Sequence, residues 1–151
     1  MKIEIMDVPS GYAGNVSPET AWHTLGEDRL AQLVDVRTSA EWAYVGGPDL
    51  SPLGKEVVRV EWQSFPSMQV SGDFVHDLSA ALEERGVTPD TPLFFICRSG
   101  ARSSRAAEAA TAAGWRHCFN IATGFEGDRD ALGHRGSVTG WKVDRLPWTQ
   151  S

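Results

Sequence analysis

The chain has 151 residues, 41% of them hydrophobic and 23% charged, with a formal net charge of −6. Those proportions describe one ordinary globular domain, and the acidic balance excludes a surface built for nucleic-acid phosphates, which needs a basic excess. No apolar run approaches the length that crosses a bilayer, and the acidic start, Met1 to Asp7, lacks the apolar stretch of a secretory signal. A cytoplasmic protein without membrane or nucleic-acid partners is therefore expected.

In chain order, Asn15-Val16 reads as a short strand, followed by Ser17 as a helix cap and Pro18 at the first helical position. That helix runs through Trp22 and Leu25 and stops near Gly26. Leu33-Val34-Asp35-Val36 is an apolar run of strand type, with Thr38 or Ser39 capping a helical turn through Trp42. Gly46-Gly47-Pro48 and Ser51-Pro52 mark a loop, and Val57 to Val60 is a third strand. A helix follows from Phe74 to Arg85, with Val75, Leu78, Ala81 and Leu82 on one stripe and Gly86 as its stop.

Leu93-Phe94-Phe95-Ile96 is the most apolar strand and the expected centre of the sheet. A helix from Arg102 to Ala113 stops at Gly114, His117 to Asn120 supplies a fifth strand, and 122–151 reads as mostly irregular. Continuous apolar strands alternating with helices predict an α/β fold with a parallel sheet covered on both faces. In such sheets the ligand site lies beyond the carboxyl ends of the strands.

One stretch there carries chemistry: Cys97-Arg98-Ser99-Gly100-Ala101-Arg102-Ser103, directly after the central strand and leading into a helix. Glycine permits a tight turn, successive loop N–H groups converge into an anion nest, and the helix N-terminus behind them favours negative charge. Arg98, Arg102 and Arg105 add positive charge in an otherwise acidic molecule, which suggests a small anion as ligand. A thiol so placed is expected to ionise readily and act as a nucleophile or carry a persulfide. The two cysteines cannot form a disulfide framework, and the four histidines show no zinc-ligand spacing, so neither metal nor cofactor is expected.

The cysteine loop resembles the active-site loop of the rhodanese family. Leu33-Val34-Asp35-Val36-Arg37 with Glu41-Trp42 is similar to that family's earlier motif, and Gly114-Trp115 and Leu146-Pro147 match its usual close. The resemblance implies an open parallel five-stranded sheet with helices on both faces, in three layers, over residues 14–150, with residues 1–13 as an N-terminal extension. It implies a sulfurtransferase that passes sulfane sulfur from a small anionic donor such as thiosulfate to a thiol, cyanide or a protein acceptor. Cys97 takes the catalytic position, and Arg98, Ser99, Gly100, Ala101, Arg102 and Ser103 form the substrate-binding cradle. Asp35, Arg37 and Glu41 are supporting residues, with Arg37 and Glu41 expected to form a structural ion pair beside the loop.

Two segments depart from the family pattern: Val45-Gly46-Gly47-Pro48-Asp49 with a longer connection, and a single glycine at Thr123-Gly124 followed by an insertion from Phe125 to Val138. The insertion, with Asp128, Arg129, Asp130, His134 and Arg135, reads as a solvated loop, with a lid or acceptor-docking loop as the alternative. Trp141 reads as core rather than as a cover for the site. A cysteine phosphatase or arsenate reductase is the nearest enzymatic rival. It would need arginine six positions after the cysteine, where Ser103 stands, so this loop is one residue short. A sulfur-carrier or regulatory module without turnover is the rival from another class.

Overall fold

The computed structural model describes residues 3–150. Five apolar segments come together as one parallel sheet because each can bury both of its faces only between layers of helix. The elements in chain order are β1 (Gly14–Val16), α1 (Pro18–Glu27), β2 (Gln32–Asp35), α2 (Ser39–Tyr44) and β3 (Gly47–Pro48). A 3₁₀ turn (Ser51–Leu53) precedes β4 (Val58–Arg59), β5 (Gln63–Ser64), β6 (Gln69–Val70) and α3 (Phe74–Glu84). The chain closes with β7 (Leu93–Ile96), α4 (Ala101–Ala112), β8 (Cys118–Ile121) and β9 (Trp148–Thr149).

The main sheet has the order β1-β8-β7-β2-β4, with every pairing parallel and β7 at its centre. Alternate residues of the central strands face opposite layers. Val34 and Phe95 pack with Leu78 and Leu82 of α3 and with Ala106, Ala107 and Ala110 of α4. Leu33, Phe94 and Ile96 pack on the other face with Ala21 and Leu25 of α1. The alanines of α4 leave no bulk between helix and sheet, so its axis, and with it the position of its first turn, is fixed closely.

The termini of the helices follow their local chemistry. Ser17 accepts a hydrogen bond from the Thr20 N–H at 3.1 Å, with Pro18 behind it. Thr38, not Ser39, caps α2, in a reciprocal capping box with Glu41. The three-layer α/β sheet matches the sequence expectation, with element ends displaced by one residue at β1, β2, α3, α4 and β8 and with the third strand reduced to Val58–Arg59.

The segment 122–151 holds more structure than its composition suggests. β9 pairs antiparallel with β3, Trp148 opposite Pro48. Trp141 is fully buried, donates its indole N–H to the Pro147 carbonyl at 2.8 Å and meets Trp22 edge-on at 5.9 Å. It is a core residue of the α1 face. The sequence reading also lacked the β5–β6 hairpin, in which Gln63 pairs with Val70. Among the described residues, no helix is long and apolar enough to cross a membrane.

The register separates the cysteines. Cys118 lies beside Leu93 at the start of β8, and Cys97 follows Leu93 by four positions on the neighbouring strand. At 3.3 Å per residue that is roughly 13 Å along the sheet, against a limit of about 7 Å between Cα atoms for a disulfide. Burial pushes the Cys118 thiol up to about 11, a side-chain hydrogen bond to Thr111 offsetting part of this. A peptide map of the oxidised protein should therefore contain no Cys97–Cys118 link, and Cys118→Ala should leave Cys97 as reactive as before.

Candidate active site

β7 ends at Ile96, so Cys97 emerges at the carboxyl edge of the sheet while still only 1% exposed. The turn that follows depends on Gly100, which caps α4 at φ +106°. A Cβ there would run into the carbonyl oxygen of Ala122. With that turn made, the Gly100 N–H donates to Cys97 Sγ at 3.1 Å, and the Ser103 hydroxyl reaches the same sulfur at 3.2 Å. The first turn of a twelve-residue helix stands behind them. A backbone donor, a hydroxyl within hydrogen-bond reach and a helix N-terminus around one sulfur suit it to carry negative charge, as a thiolate or as a persulfide.

The supporting residues adopt a different pairing from the expected one. Glu41 pairs with Arg102, Nη1 to Oε1 at 2.6 Å and Nη2 to Oε2 at 2.9 Å. Arg37 pairs with Asp35, through Nε at 2.9 Å and Nη2 at 2.7 Å, and both side chains are fully buried. The expected Arg37–Glu41 pair is corrected by the backbone. Arg37 lies in the extended segment before the α2 cap, so its side chain runs back along β2 to Asp35 rather than forward onto the helix. Its Nη2 also donates to the Gly46 carbonyl at 2.7 Å, and its guanidinium lies 4.6 Å from the centroid of Phe125.

The Glu41–Arg102 pair is the electrostatic hinge between α2 and α4. Burial acts to raise the Glu41 carboxyl, but the Arg102 hydrogen bond and charge, the Thr38 N–H and the Arg37 charge outweigh it and hold the group below the usual carboxylate range. For Arg102, burial acts downward, and the bond and charge of Glu41 outweigh it, so its guanidinium is held above its ordinary value.

Cys97 sits at the floor of a cleft of about 750 Å³. Arg98, Ser99, Ala101 and Arg102 line it beside the sulfur; Gly100 and Ser103 lie beneath, holding it. Arg105 is exposed further along α4 and does not line the cleft. The hairpin contributes Gln63 and Met68, and the insertion contributes Glu126, Arg129 and Arg135. The insertion is thus a wall of the cleft, while Asp130 turns inward to accept from the Leu132 and His134 N–H groups and from Ser137. Its root is fastened to the cysteine loop: the Phe125 N–H donates to the Cys97 carbonyl at 2.8 Å, and the Glu126 and Gly127 N–H groups to the Arg98 carbonyl at 2.9 and 3.0 Å. Gly124 permits that approach, since a Cβ there would lie 2.6 Å from the Arg98 carbonyl.

One polar residue under the site escaped the sequence reading. Asn120 is 3% exposed, and its Oδ1 accepts from the Ser103 hydroxyl. The signal was a lone asparagine in the apolar run Cys118-Phe119-Asn120-Ile121, because a buried amide needs partners. Among the described residues, no group of His, Cys, Asp and Glu is arranged to hold a metal ion.

A family model described as the STR4 middle domain matches residues 13–151, the cysteine loop and its supports included. The chain belongs to that family. Rhodanese-like domain proteins are among its more distant relatives: a chloroplastic rhodanese-like domain-containing protein 4 of Arabidopsis thaliana is 28% identical over 137 residues, 91% of this chain and 26% of the relative. An uncharacterized protein of Rickettsia prowazekii is 36% identical over 134 residues, 89% of this chain and 95% of its own length. The crystal structure of Rv0390 from M. tuberculosis is similar with a TM-score of 0.82 and 48% identity, over 93% of this chain and 99% of that one. A polysulfide-sulfur transferase homodimer from Wolinella succinogenes, at 22% identity and a TM-score of 0.54 over 90% of this chain and 77% of its own, shares the fold.

Two expectations follow from the geometry. Gly100→Ala should lower stability by about 1–3 kcal/mol, since it combines a left-handed backbone with a steric collision, and urea denaturation checks this. Glu41 binds its proton more weakly in the folded than in the unfolded chain, so its contribution to stability is present above the ordinary glutamate range. That contribution is lost as pH falls through the lowered folded value. The stability gap between wild type and Glu41→Gln should be largest near neutral pH and close below about pH 4.

Proposed function

We propose that this chain is a sulfurtransferase that carries sulfane sulfur as a persulfide on Cys97. It takes the sulfur from thiosulfate or a related anionic donor and passes it to a thiol, cyanide or a protein acceptor. The observation that carries this reading is the Cys97 sulfur held by the Gly100 N–H, with the Ser103 hydroxyl 3.2 Å away, at the floor of an arginine-lined cleft. The thiolate attacks the outer sulfur of thiosulfate; the sulfur–sulfur bond breaks, sulfite departs with its electron pair, and the persulfide remains. An acceptor thiolate then takes the outer sulfur and returns Cys97 to thiolate.

The arginines divide this work. The Arg98 side chain is exposed at the cleft with no hydrogen bond or ion pair among the described residues, which suits it to collect the anion. Arg102 is anchored to Glu41 and lends its remaining field to the sulfur and the leaving group. A phosphatase reading is disfavoured by the same anchor, because both ends of the fork that would wrap a phosphoryl group are already held by a carboxylate. A protein acceptor is favoured by Phe65, Met68 and Val70, which are exposed on the β5–β6 hairpin beside the cleft, and by Leu132 on the insertion.

An intact-mass spectrum after thiosulfate treatment should show the gain of one sulfur atom, removed by a thiol reductant and absent in Cys97→Ser. Thiosulfate-dependent sulfite release that survives in Cys97→Ser would reject the assignment. Arg98→Ala should raise KM with little change in kcat, the mark of lost uniform binding, and should weaken the fall of kcat/KM with added salt. Arg102→Ala should lower kcat as well.

A further inference from the structure

The sulfur of Cys97 is tied to the N-terminal segment by a run of polar side chains that is buried at Ser103 and Asn120, half-buried at Asn15 and exposed at Asp7. The Asn15 amide donates to the Asp7 carboxylate at 3.1 and 3.2 Å, and its Oδ1 accepts from the Tyr12 hydroxyl at 2.9 Å and from Asn120 Nδ2 at 3.0 Å. Asn120 Nδ2 also donates to the Gly100 carbonyl at 3.2 Å. A carbonyl can only accept, so the amide nitrogen of Asn120 must face Gly100 and its oxygen must face Ser103.

The Ser103 hydroxyl is fully buried and has one proton, with three acceptors within reach: Asn120 Oδ1, Cys97 Sγ at 3.2 Å and the Gly100 carbonyl at 3.3 Å. The Asn120 oxygen is the nearest of them, and the Gly100 carbonyl already accepts from the Ser104 N–H at 3.1 Å. The proton therefore belongs first to Asn120, which leaves a Ser103 lone pair turned toward the sulfur.

We propose that Asn120 is a positioning residue that competes with Cys97 for the single Ser103 proton. In the resting site the hydroxyl is committed to Asn120, and the sulfur keeps the Gly100 N–H as its steady donor. When negative charge builds on the sulfur, the hydroxyl can turn to it. Asn120 thereby limits how strongly the sulfur anion is stabilised, which preserves its nucleophilicity in loading. The proposal rests on Cys97 being the reactive sulfur of the function proposed above.

The charged groups facing the sulfur are Arg98, Arg102, Glu41, Glu126, Arg129 and Arg135. At the far end of the network stand the Asp7 carboxylate and Tyr12, whose hydroxyl burial pushes above its usual value, the Asn15 hydrogen bond offsetting part of this. All of them are retained in the variants below, so their field is common to every measurement.

Two substitutions at Asn120 should act in opposite directions. Asn120→Leu keeps the shape and removes the competing acceptor; Asn15 Oδ1 still accepts from Tyr12, and the Gly100 carbonyl from Ser104. The Ser103 proton then goes to the sulfur. Asn120→Asp strengthens the competing acceptor and places negative charge beneath the sulfur. The measurement is the pH dependence of iodoacetamide alkylation, followed at Cys97 by peptide mass spectrometry.

The midpoint in Asn120→Leu should fall by about one pH unit, the scale of one hydrogen bond to a charged atom, with a slower limiting rate at high pH. In Asn120→Asp the midpoint should rise. Ser103→Ala/Asn120→Leu should titrate like Ser103→Ala alone, because the effect passes through that hydroxyl. Midpoints moving the same way in both Asn120 variants, or a further shift in the double variant, would show general loosening and overturn the proposal. No sulfur donor enters this assay. Opposite shifts in a chain that moves no sulfur would leave the proposal standing and remove the proposed function.

Discussion

The carboxyl edge of the sheet is organised around the buried ion pair of Asp35 and Arg37. Taking two charges out of water is costly, and the cost is offset only when geometry and further hydrogen bonds are good. Here the Asp35 carboxylate also accepts from the Arg37 N–H at 3.1 Å, and the guanidinium holds the Gly46 carbonyl and covers Phe125. One arginine thus gathers the end of β2, the turn into β3 and the root of the insertion. Phe125 in turn donates its N–H to the Cys97 carbonyl. The placement of the sulfur is therefore traceable through two contacts to a charge that water never reaches.

Around that fixed point the remaining charge is graded by depth. Arg37 is paired with Asp35 below, through Nε and Nη2 with its Nη1 left without a partner, Arg102 is paired with Glu41 at mid-depth, and the Arg98 and Arg129 side chains stand free of partners among the described residues at the cleft wall. An anion entering from solvent meets uncommitted cations first and anchored ones last. That order lets a molecule of net negative charge present cations along one cleft. In the proposed function the anchored arginine serves the sulfur and the free ones the incoming donor.

Much of this was legible in the sequence, and the limits have physical causes. The apolar runs at Leu33, Leu93 and Phe119 announce buried parallel strands, and cysteine followed by a glycine-bearing polar turn and a helix announces the nest. The β5–β6 hairpin and the β3–β9 pair escaped because strands of two residues, rich in Gln, Ser, Gly and Pro, carry no hydrophobic alternation. The Arg37–Glu41 pairing failed because a spacing of four suggests contact only within a helix, and the helix begins after Arg37. The role of Asn120 was hidden because its partners, Asn15 and Ser103, are distant in sequence and meet only once β1, β8 and α4 have assembled.

The three backbone bonds from Phe125, Glu126 and Gly127 to the cysteine loop have a consequence for how such a site can diversify. They fasten the insertion by main-chain atoms, beside the fully buried Phe125 and between Gly124 and Gly127, where neither position has room for a Cβ. The outer turn beyond Gly127 is held again on its return, since the Gly136 N–H donates to the Glu126 carbonyl at 2.8 Å and the Trp141 N–H to the Gly124 carbonyl at 2.9 Å, which leaves the exposed tip around Leu132 the freest in composition. A change of sequence or length at the outer turn would reshape that wall of the cleft without touching the bonds to the cysteine loop. The tip of the cleft wall and the seat of the sulfur are thereby separable, so the one can vary while the other stays fixed.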